Sequence, residues 1–92
     1  MNDISREMLR IGFRHGEQNH PNGTSLSYAP LANLAKKRYE EAGKNVTWRH
    51  ILEEEVLEAF AELDPKRLRE ELVQVAAVAT LWIECLDRKK GK

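Results

Sequence analysis

The segment LDPK, residues 63–66, separates two long amphipathic stretches and gives the clearest helix boundary in the chain. Asp64 is a preferred residue type at a helix N-cap, and Pro65 suits the first helical position, where its missing N–H leaves no hydrogen bond unmade. Helices joined by so short a connection fold back beside each other. We therefore expect the helices on either side of LDPK to form an antiparallel pair.

The remaining sequence also carries helical periodicity and turn residues, without a strand pattern that competes with them. It predicts four helices, over residues 5–15, 28–42, 48–62 and 65–88. Gly43 is predicted to end the second helix and Thr47 to cap the third. The second helix is expected to point four side chains inward: Leu31, Leu34, Ala35 and Tyr39. The fold class is thus predicted as all-α, a single four-helix domain over residues 1–92 with a frayed tail at residues 88–92.

Composition excludes several classes of protein. The 15 Lys and Arg residues balance the 15 Asp and Glu residues, so no net charge favours nucleic acid or an anionic membrane as a partner. Cys85 is the only cysteine, which rules out an internal disulfide or a Cys-rich zinc site. No apolar run reaches the roughly 20 residues that a membrane span needs. We expect a cytoplasmic protein that forms a homodimer or homotetramer, since 92 residues bury little surface alone.

Four polar side chains are predicted to face each other across the LDPK pair. Glu55 falls inside the apolar stripe of the third helix and Glu58 along its edge, where solvated carboxylates are not expected. Counted from Asp64, Glu58 is six residues before and Glu71 seven after, while Glu55 is nine before and Gln74 ten after. The two pairs therefore lie at matching heights on antiparallel helices.

Carboxylates placed so close repel one another, and the hard cation Mg²⁺, or Mn²⁺ in its place, binds such oxygen ligands. A run of glutamates on a helix is most often a solvated face. Here the inward position and the matching second pair favour a metal site over a solvated face.

The motif EEVLE, residues 54–58, followed by ELVQ, residues 71–74, resembles the all-α nucleotide pyrophosphohydrolases of the MazG-like superfamily. Their pattern is EExxE on one helix and ExxD on the next. The stretch HGEQNHPNGT, residues 15–24, also resembles the amino-terminal loop of short phage and bacterial members. The resemblance implies hydrolysis of a (deoxy)nucleoside triphosphate to the monophosphate and pyrophosphate.

Carried over residue by residue, the resemblance implies four metal ligands: Glu55, Glu58, Glu71 and Gln74. Glu54 or Glu58 is expected to orient the attacking water. The candidate substrate-binding residues are His15, Gln18, His20, Lys36 and Arg49. For the residues of the loop the alternative is that they cap turns, and for those on the helices that they keep a helix face solvated.

Gln74 departs from the family pattern, because its amide brings no charge to a position where the family has Asp. Two other functions therefore stay open. One is a catalytically weak or inactive regulator that binds a nucleotide or a metal on the same fold. The other is a helical interaction module whose glutamates recognise a basic partner.

Overall fold

A computed structural model of the chain describes residues 2–15 and 19–90, with the side chains of residues 3–11 and 19–90. The helices are α1 (Asn2–His15), α2 (Ala29–Ala42), α3 (Trp48–Ala61) and α4 (Pro65–Lys90), and single 3₁₀ turns lie at Leu26–Tyr28 and Gly43–Asn45. The described residues form no strand, so the prediction of four helices is confirmed. Residues 88–90 form the end of α4, and residues 91 and 92 lie outside the described residues, so the frayed tail stays a prediction.

The two predicted N-caps, Thr47 and Asp64, are found at the starts of α3 and α4. The Thr47 hydroxyl accepts the His50 N–H at 3.2 Å, and His50 Nδ1 accepts the Thr47 N–H at 3.0 Å, so α3 begins in a reciprocal capping box. An Asp64 carboxylate oxygen accepts the Lys66 N–H at 3.1 Å at the start of α4. Both caps use donors that a helix leaves unpaired in its first turn.

Helix α3 is the centre of the arrangement. It packs against both α2 and α4, whereas α2 and α4 do not contact each other and α1 contacts no other described element. The chain measures 43 × 43 × 17 Å, so it is much thinner in one direction than in the other two. The described fold is thus an open layer of helices rather than a closed bundle.

The segment before α2 is attached to the end of α3. The Ser25 N–H donates to the Phe60 carbonyl at 2.9 Å, and the Tyr28 ring meets the Phe60 ring edge to face with centroids 5.3 Å apart. These contacts bring the start of α2 to the end of α3 that carries Glu58.

The buried side chains of the described residues are few and mostly small: Ala32, Ala35, Ala59, Leu68 and Val78. On α2 the predicted inward set is wrong except for Ala35, since Leu31, Leu34 and Tyr39 are 49%, 43% and 38% exposed. Alanines let two helix backbones approach closely, so α2 meets α3 through its small residues and leaves the large ones on its flank. No described helix combines the length and the apolar content needed to cross a membrane.

Candidate metal centre

Three carboxylates from two helices converge beside the α3–α4 contact. Glu55 and Glu58 lie one turn apart on α3, and Glu71 lies on α4. Each offers one oxygen, and these three oxygens lie within 4.8 Å of one another. The predicted convergence across LDPK is therefore found for these three residues, which are called the carboxylate cluster below.

The cluster is half-buried, and the pKa values of two of its members, Glu58 and Glu55, are raised above that of a free glutamate. Burial, a hydrogen bond with Glu54 and the charges of Glu54, Glu55 and Glu71 raise the pKa of Glu58 from 4.5 to about 7. Burial first, then the charges of Glu71 and Glu54, also raises the pKa of Glu55. A full set of ionised carboxylates is thus unfavourable at this place unless a cation joins it.

The chain supplies no cation to the cluster from the side chains that the structure describes. The neighbouring Glu53 shows the contrast, since it pairs with Arg38 at 3.6 Å and with Arg49 at 3.2 Å. No salt bridge joins a described Lys, Arg or His side chain to Glu55, Glu58 or Glu71. The acidic run on α3 therefore contains one neutralised glutamate and a separate group that has no basic partner among the described side chains.

The spacing of the cluster fits a small divalent cation. Oxygens that share one Mg²⁺ at 2.0–2.1 Å stand about 3–4 Å apart, depending on whether they are adjacent or opposite. The limit of 4.8 Å in the cluster is within about 1 Å of that range, which glutamate side chains cover by small rotations. Glu55, Glu58 and Glu71 are thus the residues able to hold Mg²⁺ or Mn²⁺, with positions left for water or substrate oxygens.

A cavity of about 250 Å³ opens beside the cluster. Two cluster members, Glu58 and Glu71, line it together with Glu62 of the α3–α4 connection. From the other side it is lined by Ala29, Ala32 and Asn33 of α2, and Ala61 completes the wall. Asn33, which is exposed, was not identified from the sequence, because no sequence pattern distinguishes it from other polar residues of α2.

Gln74 and Glu54 occupy different positions from those of the cluster. Gln74 is exposed and does not line the described cavity, because at 100° per residue it lies farther from the α3-facing side of α4 than Glu71 does. Glu54 is half-buried and hydrogen-bonded to Glu58, so it lies next to the cluster. Glu62 lines the cavity, and its carboxylate accepts the Asp64 N–H at 3.1 Å.

The candidate substrate-binding residues are not gathered at the cavity in the described part of the chain. His20 and Lys36 are exposed, and Lys36 lies one turn after Asn33 on α2. Arg49 lies on α3, nine residues before Glu58, and is exposed and paired with Glu53. The His15 side chain and all of Gln18 lie outside the described residues. A substrate role for these five residues stays a prediction.

Comparison of the chain with protein-family models, with curated proteins and with solved structures found no match. The geometry of the cluster and its cavity is therefore the observation that bears on function.

The pKa of Glu58 predicts an unusual pH dependence of stability in the presence of a chelator. Folding raises this pKa from 4.5 to about 7, so between these values the folded chain binds more protons than the unfolded chain. The free energy of unfolding should therefore fall as pH rises through this window, being highest below about pH 4.5 for this group and lowest above about pH 7. Thermal melts with EDTA between pH 5 and 8 measure this change.

The matched control for this prediction is Glu58→Gln, which removes the titrating group and keeps its shape. The difference in melting temperature between the two proteins should grow from pH 5 to pH 8, in favour of the variant. A difference that stays constant over this range would show that Glu58 has an ordinary pKa.

Proposed function

We propose that the chain is a Mg²⁺-dependent nucleoside triphosphate pyrophosphohydrolase of the MazG-like kind. It would convert a ribo- or deoxyribonucleoside triphosphate and water to the monophosphate and pyrophosphate. The observation that carries the proposal is the carboxylate cluster, which has no basic partner among the described side chains and lies at a cavity. In sites that hydrolyse phosphate anhydrides, carboxylates hold a divalent cation. The negatively charged phosphate oxygens of the substrate then bind to the same cation.

Mg²⁺ bound there would neutralise charge on the phosphate oxygens and lower the pKa of a bound water. The chain itself would then position the reactants. Glu55, Glu58 and Glu71 would fix the place of the α–β phosphate anhydride relative to α3. Glu54 is hydrogen-bonded to Glu58 and lies outside the cluster. It would therefore accept the proton of the attacking water when Glu58 binds the cation.

The size of the cavity suits only a part of the substrate. At about 250 Å³ it is smaller than the roughly 300–1,000 Å³ of pockets that enclose whole organic ligands. It suits a phosphate chain, with the amide of Asn33 as a neutral hydrogen-bonding partner opposite the acids. The nucleoside would lie outside it, where His20, Lys36 and the other candidate substrate-binding residues remain proposals. The functional form is proposed to be a homodimer or homotetramer.

A panel of canonical and modified nucleoside triphosphates, incubated with the purified chain and Mg²⁺ or Mn²⁺, tests the proposal. The expected products are a nucleoside monophosphate and pyrophosphate in equal amounts for at least one member of the panel. A nucleoside diphosphate and phosphate would indicate a different reaction. EDTA should stop turnover, and excess Mg²⁺ should restore it.

One observation favours the second candidate, a regulator of the same fold that binds without turnover. Among the described residues only three carboxylates form the cluster, and the exposed Gln74 adds no charge to it. Saturable binding of a triphosphate in the presence of Mg²⁺, without product over many hours, is the result that supports this regulator. Absence of any Mg²⁺ effect on nucleotide binding or thermal stability would instead favour the interaction module.

A further inference from the structure

Three consecutive basic residues of α2, Lys36, Lys37 and Arg38, differ in their partners. Lys37 pairs with Glu41 at 3.9 Å, and Arg38 pairs with Glu53 of α3 at 3.6 Å. None of the salt bridges among the described side chains involves Lys36, which is exposed. Lys36 is therefore the member of this run whose charge stays unpaired within the described part of the chain.

The height of Lys36 follows from two contacts between α2 and α3. Arg38 of α2 pairs with Glu53 of α3. Five residues away on each helix, Asn33 and Glu58 line the same cavity. These matching intervals mean that α2 and α3 run antiparallel with both pairs at equal heights. Lys36, three residues after Asn33, therefore lies about 4.5 Å further along the cavity side of the two helices.

The side of α2 that carries Lys36 is the side that lines the cavity. At 100° per residue, Lys36 lies about 40° from Ala32 and about 60° from Asn33, and thus between these two cavity-lining residues. Lys37 lies about 100° further round the helix and Arg38 about 200° further. Lys36 is thus the basic residue of this run that extends the cavity wall by one turn.

The two ends of the cavity differ in charge. Lys36 lies one turn beyond one end. At the other end Glu62 lines the cavity, and its carboxylate accepts the Asp64 N–H at 3.1 Å. Two large apolar side chains near that end, Leu26 and Leu63, are 65% and 53% exposed. A chain of phosphates is attracted to the Lys36 end and repelled from the Glu62 end, where a nucleoside finds apolar surface instead.

We propose that Lys36 binds the terminal phosphate of the substrate, so that the triphosphate runs along α2 from the Glu62 end towards Lys36. This assignment rests on the proposed function and gives the substrate a direction in the site. The α–β anhydride lies at the carboxylate cluster, and the nucleoside leaves the cavity at its Glu62 end. Lys36 is thereby assigned to the phosphate chain and not to the nucleoside. Because a diphosphate is too short to reach it, Lys36 selects triphosphates over diphosphates.

The values of kcat/KM for the triphosphate and the diphosphate of one nucleoside, measured in excess Mg²⁺, test this assignment. The wild type should prefer the triphosphate. Lys36→Met removes the charge and keeps most of the side-chain length, and it should lower kcat/KM for the triphosphate roughly tenfold or more. The value for the diphosphate should stay within about two-fold, and Lys36→Arg should keep the preference. The control Lys37→Met removes the same charge from the next residue and should change neither value by more than about two-fold.

Three results overturn the assignment: a wild type without preference, an equal loss for both substrates in Lys36→Met, and a loss of the same size in Lys37→Met. The proposed function fails separately. A wild type that binds a non-hydrolysable triphosphate with Mg²⁺ but never releases product from a triphosphate contradicts the pyrophosphohydrolase alone. The ratio of the dissociation constants of that analogue and of the diphosphate then tests Lys36 in the same variants. Absence of any nucleotide binding overturns both.

Photolabelling with a triphosphate that carries an azide on its base tests the direction. After irradiation in the presence of Mg²⁺, mass spectrometry of the digested chain should find the label on residues 25–29 or 60–64, at the Glu62 end of the cavity. Excess unmodified triphosphate should prevent the labelling. A label on residues 36–50 would place the nucleoside at the Lys36 end and overturn the proposal.

Discussion

Replacing Glu71 by glutamine should reduce pyrophosphate release by roughly 100-fold or more, because it removes a charged ligand and leaves the shape of the side chain unchanged. Glu71 is the only member of the carboxylate cluster on α4, so its loss leaves the other two carboxylates of the proposed metal site on one helix. Steady-state assays at saturating Mg²⁺ measure the effect. Titration with Mn²⁺ then distinguishes two causes of the loss. If metal binding is weaker, added Mn²⁺ restores activity; if the chemical step is impaired, it does not.

The adjacent Glu70 gives a matched control, since it is exposed on the same helix and belongs to no cluster. Glu70→Gln should keep activity within about two-fold, because surface substitutions that remove no contact of a site usually have small effects. Glu71→Gln should also melt at or above the wild-type temperature in EDTA, because it removes a like charge from the cluster. Full activity of Glu71→Gln would show that the cluster is not the catalytic site.

Ala59→Leu should lower the free energy of unfolding by about 1–3 kcal/mol, because the larger side chain has no space to enter. Ala59 is 1% exposed, and its helix packs against both α2 and α4. In a domain of this size the loss should lower the melting temperature by roughly 5–20 °C. Chemical denaturation at one fixed protein concentration measures the change, since any association would shift the midpoint with concentration.

Ala77→Leu serves as the control for this prediction. It makes the same substitution at an exposed position of α4 and should change the free energy of unfolding by less than about 0.5 kcal/mol. An unchanged melting temperature for Ala59→Leu would mean that α2 and α4 pack less closely on α3 than the structure shows.

The features that followed from the sequence are those set by local chemistry. Thr47 and Asp64 were identified as N-caps because their side chains satisfy donors a few residues away, without help from the rest of the chain. The convergence of Glu55, Glu58 and Glu71 followed from the shortness of LDPK and the rise of a helix. Each of these inferences needs only neighbouring residues and fixed helix geometry.

The features that the sequence did not reveal depend on how one helix is rotated against another. The exposure of Gln74 follows from its azimuth on α4, which a count of levels along the axis leaves unspecified. Asn33 reaches the cavity only because the small faces of α2 and α3 meet. Periodicity locates apolar residues on a face, but it does not distinguish a face that packs within the chain from one that is left for another contact.

Along α2, side-chain size and burial run in opposite directions. Ala32 and Ala35 are 8% and 2% exposed, while Leu31 and Leu34 remain open. A scan of substitutions that grades positions by hydrophobicity would therefore rank this helix in the wrong order. In the isolated chain almost any substitution of these alanines would lower stability, whereas polar substitutions of the leucines would be tolerated. Searches for related chains would gain more from weighting this alanine spacing than from weighting the large apolar residues beside it.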